Sequence, residues 1–204
     1  MVTIIGLTGR SGTGKSVVVS AASKLHIPSL DCDRLYRSMT DRPSPLQEEI
    51  ASAFGRDAVM KEDGRLNRAF LRDRVYEHPE AMRRLNELTG RYIGGFIKDL
   101  AASLEGSGFL LLDAPTLYQT GIDGVCRRII CLLSPEEACR KRIMERDGIS
   151  REDADLRLNS QLPDEFYLSS GAYILRNEGT EEELFANAVR MLKSVVKEIR
   201  NENR

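Results

Sequence analysis

The chain has no excess of charge of either sign. Its 204 residues include 30 lysines and arginines and 31 aspartates and glutamates, so the formal net charge at pH 7 is −1. A protein that binds nucleic acid through an overall basic field needs a clearly positive surface. The charge balance argues against a nucleic-acid partner of that kind, although it leaves room for local arginine clusters.

Zinc-binding patterns are also missing. No C-x-x-C pair occurs among Cys32, Cys126, Cys131 and Cys139, and neither histidine is close to a cysteine in sequence. Structural zinc sites use such spacings, so no zinc site is expected. Unpaired thiols are typical of a reducing compartment, and we expect buried free cysteines.

Long apolar runs are absent as well. The apolar stretch at residues 2–7 follows no charged segment and is shorter than the apolar region of a signal peptide. No run in the sequence reaches the length that spans a membrane. We therefore expect a cytoplasmic protein without a membrane partner, and the sequence indicates no protein partner.

What is present is an alternation of strand-like and helix-like segments. Five apolar runs predict strands, at residues 2–7, 27–33, 109–113, 128–133 and 172–175. Strands that alternate with helices are typical of a parallel sheet covered on both faces. We predict one α/β domain over residues 1–204, built on a parallel five-stranded sheet flanked by helices, with helical insertions.

Two short patterns predict helix starts. Ser134 in "SPEE" and Thr180 in "TEEE" each precede a glutamate by three residues, which is the spacing of a capping box. Apolar residues at helical spacing follow the second pattern and predict one buried helix face, formed by Leu184, Ala188, Leu192, Val195 and Ile199.

The densest cluster of glycines follows the first predicted strand. The stretch "GLTGRSGTGKS" at residues 6–16 contains the P-loop pattern Gly9-x-x-x-x-Gly14-Lys15-Ser16. In this pattern glycines let backbone N–H groups converge on phosphate oxygens, and the following helix contributes its positive end. The strand before the loop and the helix after it distinguish the match from a chance glycine-rich turn.

This loop predicts a nucleotide site with Mg²⁺. Lys15 is expected to reach the β- and γ-phosphates as a catalytic cation, and the Ser16 hydroxyl is expected to ligate the metal. The predicted nucleotide-binding residues are Gly9, Arg10, Ser11, Gly12, Thr13, Gly14, Lys15, Ser16 and Val17.

Three aspartates lie at predicted strand ends, where ligands collect in α/β sheets. Asp113 ends "FLLLD", the pattern of a Walker B metal ligand, and its alternative is a helix or turn cap. Asp33 is a candidate base for an acceptor hydroxyl. The alternative is that Asp31 or Asp33 caps a helix beginning near Leu35, and the residues alone leave both interpretations open.

Two arginines follow the fourth predicted strand. Arg142 and Arg146 are four residues apart and therefore share one helix face. Cations on a helix suit phosphoryl transfer, because charge spreads over the transferred group. Glu145 and Asp147 lie among them, so a solvated charged face is the simpler interpretation of this pattern alone.

Taken together, these residues resemble the dephospho-CoA kinase family, P-loop kinases related in fold to the nucleoside monophosphate kinases. The family opens with "GLTGGIGSGKS", and its "DAD" corresponds to Asp31-Cys32-Asp33. The segment "DGRLNRAFLRDRVY" from Asp63 matches the family's DG-x-L-x-R pattern, which is more particular to this family than the P-loop. The resemblance extends from about residue 3 to residue 179.

The resemblance implies transfer of the ATP γ-phosphate to the ribose 3′-hydroxyl of dephospho-CoA, with Mg²⁺ as cofactor. It implies that Asp33 is the base, that Arg142 stabilises the migrating phosphate and that Arg146 assists. The family's lid spacing R-x-x-x-R falls on these two arginines and is followed by Gln161.

Further expectations follow from the same resemblance. Asn177 occupies the asparagine of the family's I-x-N-x-G and is expected near the adenine of ATP. A helical acceptor-binding insertion is expected around residues 35–105, and a lid around residues 136–165.

The chain departs from the family pattern at three places. Gln119 replaces a glutamate, Thr89-Gly90 replaces His-Pro, and Gly171-Ala172 replaces Ala-Asp. The first two changes lie on the expected acceptor side, so a kinase for another small acceptor, such as a nucleoside monophosphate, stays an alternative.

A catalytically silent nucleotide-binding module is the third interpretation. Such a protein would keep the P-loop and lose the base and the lid arginines. The presence of Asp33, Arg142 and Arg146 argues against it.

Overall fold

The computed structural model describes residues 2–104 and 108–202. Its five strands are β1 (Thr3–Thr8), β2 (Ser29–Asp31), β3 (Phe109–Asp113), β4 (Arg128–Leu133) and β5 (Tyr173–Arg176). They form one sheet in the order β2-β3-β1-β4-β5, and the pairs β1–β3, β1–β4 and β4–β5 are parallel. All five predicted strands are confirmed to within one or two residues at each end.

Helices connect the strands. They are α1 (Lys15–Lys24), α2 (Cys32–Thr40), α3 (Pro45–Phe54), α4 (Arg56–Val59), α5 (Arg68–Glu77), α6 (Pro79–Ser103), α7 (Glu136–Asp147), α8 (Arg151–Asn159), α9 (Asp164–Ser169) and α10 (Glu181–Glu202). A short 3₁₀ helix spans Ile122–Val125. The predicted fold class, a parallel sheet flanked by helices, is confirmed.

The chain divides into two compact units. The first comprises Met1–Leu30, Leu104–Leu117 and Cys126–Arg204, and the second comprises Asp31–Ser103 and Tyr118–Val125. The first unit therefore carries the P-loop and the helices of the expected lid. The second overlaps the insertion predicted around residues 35–105.

The core of the first unit joins the sheet to α1 and α10. Ile5, Leu7 and Leu132 are fully buried within it, and so is the predicted apolar face of α10. The capping box at the start of α10 is confirmed, since the Thr180 N–H donates to Glu183 Oε2 at 2.9 Å and the Glu183 N–H donates to Thr180 Oγ1 at 3.2 Å. This burial fixes the sheet edge from which the P-loop emerges.

The second unit has a hydrophobic cluster of its own. Leu46, Ile50 and Val59 from α3 and α4 are buried with Leu71 and Val75 of α5. Each buried aliphatic side chain of this size contributes roughly 1.5–3 kcal/mol relative to exposure. The helices of this unit are thus stabilised against one another.

The capping box predicted at residues 134–137 is wrong. Helix α7 begins at Glu136, and Pro135 at its N-cap position makes no side-chain capping bond. The Ser134 hydroxyl instead donates to the carbonyl of Asn177 at 2.9 Å and accepts a hydrogen bond from Arg142 at 3.0 Å. The Ser134 hydroxyl, which the local pattern predicts as a helix cap, bonds instead to Arg142 and to Asn177, which is distant in sequence.

The cysteines are all free thiols. Cys32, Cys131 and Cys139 are buried as predicted, whereas Cys126 is only partly buried. Burial raises the pKa of the Cys131 thiol to about 12, so this sulfur stays protonated at neutral pH. Over the described ranges, no helix is both long and apolar enough to cross a membrane.

Candidate active site

The P-loop, residues 9–16, depends on glycine for its path. Gly9, Gly12 and Gly14 have φ angles of 137°, 79° and 101°, which L side chains rarely adopt. A Cβ atom on Gly9 would lie 2.3 Å from the carbonyl oxygen of Leu132, and one on Gly12 would lie 2.4 Å from that of Cys139. Backbone conformation and close packing therefore both require glycine here.

Lys15 extends its side chain back across this loop. Its Nζ donates to the carbonyl of Gly9 at 2.7 Å and to that of Arg10 at 3.2 Å. The residue also begins α1, whose N-cap Gly14 offers no capping side chain. A positive charge and the N–H groups of a helix start thus meet at the loop, which is the arrangement that binds phosphate.

Asn177 supports the loop from the end of β5. This residue is 6% exposed, and its Nδ2 donates to the carbonyl of Thr13 at 2.8 Å. Its backbone N–H donates to Leu133 at 2.8 Å. The structure therefore assigns Asn177 a contact that shapes the loop, while its predicted position near adenine stays a prediction.

The two predicted lid arginines have different surroundings. Arg142 is half-buried and donates from Nη1 to the carbonyl of Gly12 at 2.9 Å. Arg146 is exposed and makes two bonds of 2.8 Å with Asp147. These bonds, with a further ion pair from Arg157, hold the pKa of Asp147 well below its usual range. Of the two arginines, the structure brings Arg142 to the loop.

Two oxygen-bearing side chains of the first unit suit a magnesium ion. Asp113 is the last residue of β3, half-buried, and stands beside Leu7 in the sheet register. Ser16 is the second residue of α1. Mg²⁺ prefers hard oxygen ligands and is usually held by one or two protein groups together with substrate phosphates. The donor set fits the ion that the sequence predicts.

In the second unit, the two aspartates at the junction of β2 and α2 take different positions. Asp31 is the N-cap of α2, and its Oδ1 accepts from the Arg34 N–H at 2.9 Å. The helix therefore begins at Cys32, and the predicted start near Leu35 is wrong. Asp33 lies exposed in the first turn of α2. The capping position belongs to Asp31, and the role of Asp33 as the base stays a prediction.

Packing explains the departure from the family pattern at Gly90. A Cβ atom on Gly90 of α6 would lie 1.8 Å from the carbonyl oxygen of Thr120. Glycine at this position lets the segment that leads to the 3₁₀ helix approach α6 closely. Nearby in sequence, Gln119 Oε1 is buried and has no hydrogen-bond partner within the described chain.

Sequence reasoning missed the contacts between the P-loop and α7–α9. The sequence predicts that Arg10 and Ser11 bind nucleotide, yet their side chains bond to Glu136 and Gln161. Both partners lie in residues 136–165, the segment predicted as a lid and called the lid segment below. The available signal was the pair Arg10-Ser11, which stands where the family pattern has Gly-Ile.

The P-loop lies between β1 and α1, Lys15 folds back over it, and Arg142 of α7 bonds to the carbonyl of Gly12. These features are typical of a P-loop kinase. The sheet order agrees with that class. A family model described as dephospho-CoA kinase (CoaE) matches residues 3–183. The chain therefore belongs to the dephospho-CoA kinase family and is an ATP-dependent kinase.

Individual relatives agree with this membership. The dephospho-CoA kinase of Anaeromyxobacter dehalogenans is 34% identical over 191 residues, which cover 93% of this chain and 90% of that protein. The structure of TT1252 from Thermus thermophilus matches with a TM-score of 0.77 and 29% identity over 97% of both chains. The structure of the dephospho-CoA kinase from Campylobacter jejuni matches with a TM-score of 0.66 and 26% identity over 100% of both.

Proposed function

We propose that the chain transfers the γ-phosphoryl group of ATP to the ribose 3′-hydroxyl of dephospho-CoA, the last step of CoA synthesis. The observation that carries the proposal is the convergence of two cations on one glycine loop. Lys15 reaches the loop from α1, and Arg142 reaches the carbonyl of Gly12 from α7. Phosphoryl transfer depends on such positioned positive charge, because negative charge spreads over the migrating group.

The proposed reaction uses Asp33 as the base. Its carboxylate accepts the proton of the 3′-hydroxyl as that oxygen bonds to the γ-phosphorus, and the bond to the bridging oxygen breaks to release ADP. Two observations support this assignment: the capping position is taken by Asp31, and Asp33 is exposed at the start of α2.

The same proposal includes a magnesium ion. Ser16 and Asp113 are the residues that would hold it, and the ion supplies charge neutralisation at the β- and γ-phosphate oxygens. Lys15 and Arg142 act on the same charge from the protein side. Arg146 is proposed to assist, although its present partner is Asp147.

We also propose a cytoplasmic location. The four free cysteines support this proposal, since free thiols are typical of reducing compartments.

The test is ADP release from Mg-ATP with dephospho-CoA as acceptor, beside AMP, CMP and pantetheine. We expect turnover with dephospho-CoA to exceed turnover with each other acceptor at least about 100-fold in kcat/KM, because a site built to bind a substrate's polar groups rejects compounds that lack them. Preferential turnover of AMP or CMP would support the nucleoside monophosphate alternative. ADP binding without turnover of any acceptor would support the silent module.

A further inference from the structure

Arg10 lies in the P-loop, but its side chain is directed into the lid segment. The side chain is only 11% exposed, and both Nη atoms donate to Glu136 Oε2, at 3.1 and 3.2 Å. Nη2 also donates to the carbonyl of Leu158 at 3.3 Å, and Asp164 Oδ1 lies 3.9 Å from Nη1. Glu136 and Leu158 belong to α7 and α8, and the ion-pair partner Asp164 belongs to α9, so one guanidinium contacts three helices.

The next residue makes a second connection to the same segment. The backbone N–H of Ser11 donates to Gln161 Oε1 at 2.8 Å, and Gln161 Nε2 donates to Ser11 Oγ at 3.3 Å. Gln161 lies between α8 and α9. Two adjacent loop residues are thus bound by four separate positions of the lid segment.

The backbone of Arg10 is tied to the interior of the loop at the same time. Its carbonyl accepts from Lys15 Nζ at 3.2 Å and from Thr13 Oγ1 at 2.8 Å. The residue therefore connects the loop lysine, through its backbone, with the lid helices, through its side chain.

The helix that Arg10 holds is the helix that presents Arg142. Glu136, the main partner of Arg10, lies in the first turn of α7, and Arg142 follows on the same helix. Arg140 extends this connection, because it pairs with Glu136 and with Asp155 of α8. A shift of the first turn of α7 away from the loop would move the Arg142 guanidinium with it.

We propose that Arg10 is a positioning residue for phosphoryl transfer, which locks α7–α9 onto the P-loop so that Arg142 meets the transferred phosphate. The expected loss of kcat rests on the proposed function. The expected attachment of α7–α9 to the P-loop rests on the contacts alone. Arginine suits this position because its planar fork donates to several acceptors at once. Misplacing a catalytic group by about 1 Å can cost about 100-fold in rate, so the effect on turnover is expected to be large compared with the effect on binding.

The kinetic test is a double-mutant cycle between Arg10 and Arg142. Arg10→Ala is expected to lower kcat about 10-fold and to change the Kd for ADP less than about 3-fold, and Arg10→Lys is expected to recover part of kcat. Arg142→Ala is expected to cost about 100-fold in the unmodified chain and only about 10-fold in the Arg10→Ala background, so that the double variant is as slow as Arg142→Ala alone. Additive losses, or equal losses in kcat and ADP affinity, would overturn the positioning assignment.

The matched control is Arg151→Ala. Arg151 belongs to the same ion network, where it pairs with Glu137, but within the described residues it makes no hydrogen bond or ion pair with the P-loop, and it is 55% exposed. We expect this variant to keep kcat within about 2-fold, because exposed ion pairs contribute little. A loss equal to that of Arg10→Ala would mean that any arginine of the lid network matters equally, which contradicts the proposal.

Hydrogen exchange measures the contact independently of the reaction. In Arg10→Ala, backbone amides of α8 and of the segment 160–162 are expected to exchange about 10-fold faster, while those of α10 stay unchanged. Unchanged exchange in α8 would overturn the inference even if the enzyme is active. If α8 exchanges faster in Arg10→Ala but the unmodified chain does not turn over dephospho-CoA, the contact between Arg10 and the lid segment is supported and the proposed function is rejected.

Discussion

The P-loop and the second unit of this kinase are built by different means. Around the P-loop, neighbouring backbone carbonyls stand 2.3 and 2.4 Å from where Cβ atoms of Gly9 and Gly12 would lie. In the second unit, Gly64 and Gly95 have nothing within 4 Å of such an atom. The comparison shows that phosphate binding is specified by backbone geometry that few residues fit, whereas the second unit is specified mostly by side-chain packing.

Gly90 is the exception in the second unit. The carbonyl of Thr120 approaches the position of its Cβ atom to 1.8 Å, closer than at either P-loop glycine. The departure from the family pattern at Thr89-Gly90 thus coincides with a tight backbone contact. This contact gives the departure a structural reason without invoking a changed acceptor.

The largest effect is expected when Asp33, the proposed base in the second unit, is replaced. Asp33→Asn is expected to lower kcat about 10³-fold, because an amide cannot accept the hydroxyl proton, and to change ADP affinity less than about 2-fold. Lys15→Ala, the comparison variant, is expected to lower both quantities, because the loop loses its cation. Steady-state ADP release and calorimetric ADP titration measure the two effects, and near-normal kcat in Asp33→Asn would reject the base assignment.

A second prediction compares glycines within one helix. Gly90→Ala is expected to destabilise the protein by about 2–3 kcal/mol, because the new methyl group overlaps the Thr120 carbonyl. Gly95→Ala, on the exposed side of the same helix, is expected to stabilise by about 0.5–1 kcal/mol, since alanine is the better helix former. Urea unfolding measures the free energy of unfolding of both variants. Equal changes would show that the chain accommodates a methyl group at residue 90 without loss of stability, which contradicts the prediction.

Features that depend on residues close together in sequence could be predicted from the sequence. The P-loop glycines and the capping box at Thr180 depend on residues only a few positions apart. The box predicted at Ser134 failed because Asn177, 43 residues away, takes its hydroxyl. No local pattern reports such a partner.

The same limit applies to the candidate site. Arg142 and Arg146 are indistinguishable by spacing, and only the folded chain places one on the carbonyl of Gly12 and the other beside Asp147. Asp31 and Asp33 were likewise equivalent until the start of α2 assigned the cap to Asp31.

A smaller effect is expected where a side chain supports the P-loop. Asn177→Ala removes the bond from Nδ2 to the Thr13 carbonyl and is expected to destabilise the first unit by about 1–2 kcal/mol. Since that carbonyl anchors the loop, ADP affinity is expected to fall about 3- to 10-fold, roughly 0.6–1.4 kcal/mol. Asn201→Ala, which changes an exposed asparagine at the end of α10, is the matched control. Equal ADP affinity in the two variants would contradict a loop-shaping contact.

The smallest effect is expected at Asp147, on the exposed part of α7. Hydrogen bonds from Arg146 lower the pKa of this carboxyl below its unfolded value of about 3.9, so its contribution to stability is present above that value. As the pH falls from about 4 through the lower pKa of the folded state, protonation removes the contribution. Asp147→Asn is therefore expected to cost about 1 kcal/mol or less at pH 7, and the difference from the unmodified chain should shrink below pH 4. Urea unfolding at pH 7, 5, 4 and 3 measures this difference, and a difference that stays constant over the series would show that the charge of Asp147 is not what stabilises the end of α7.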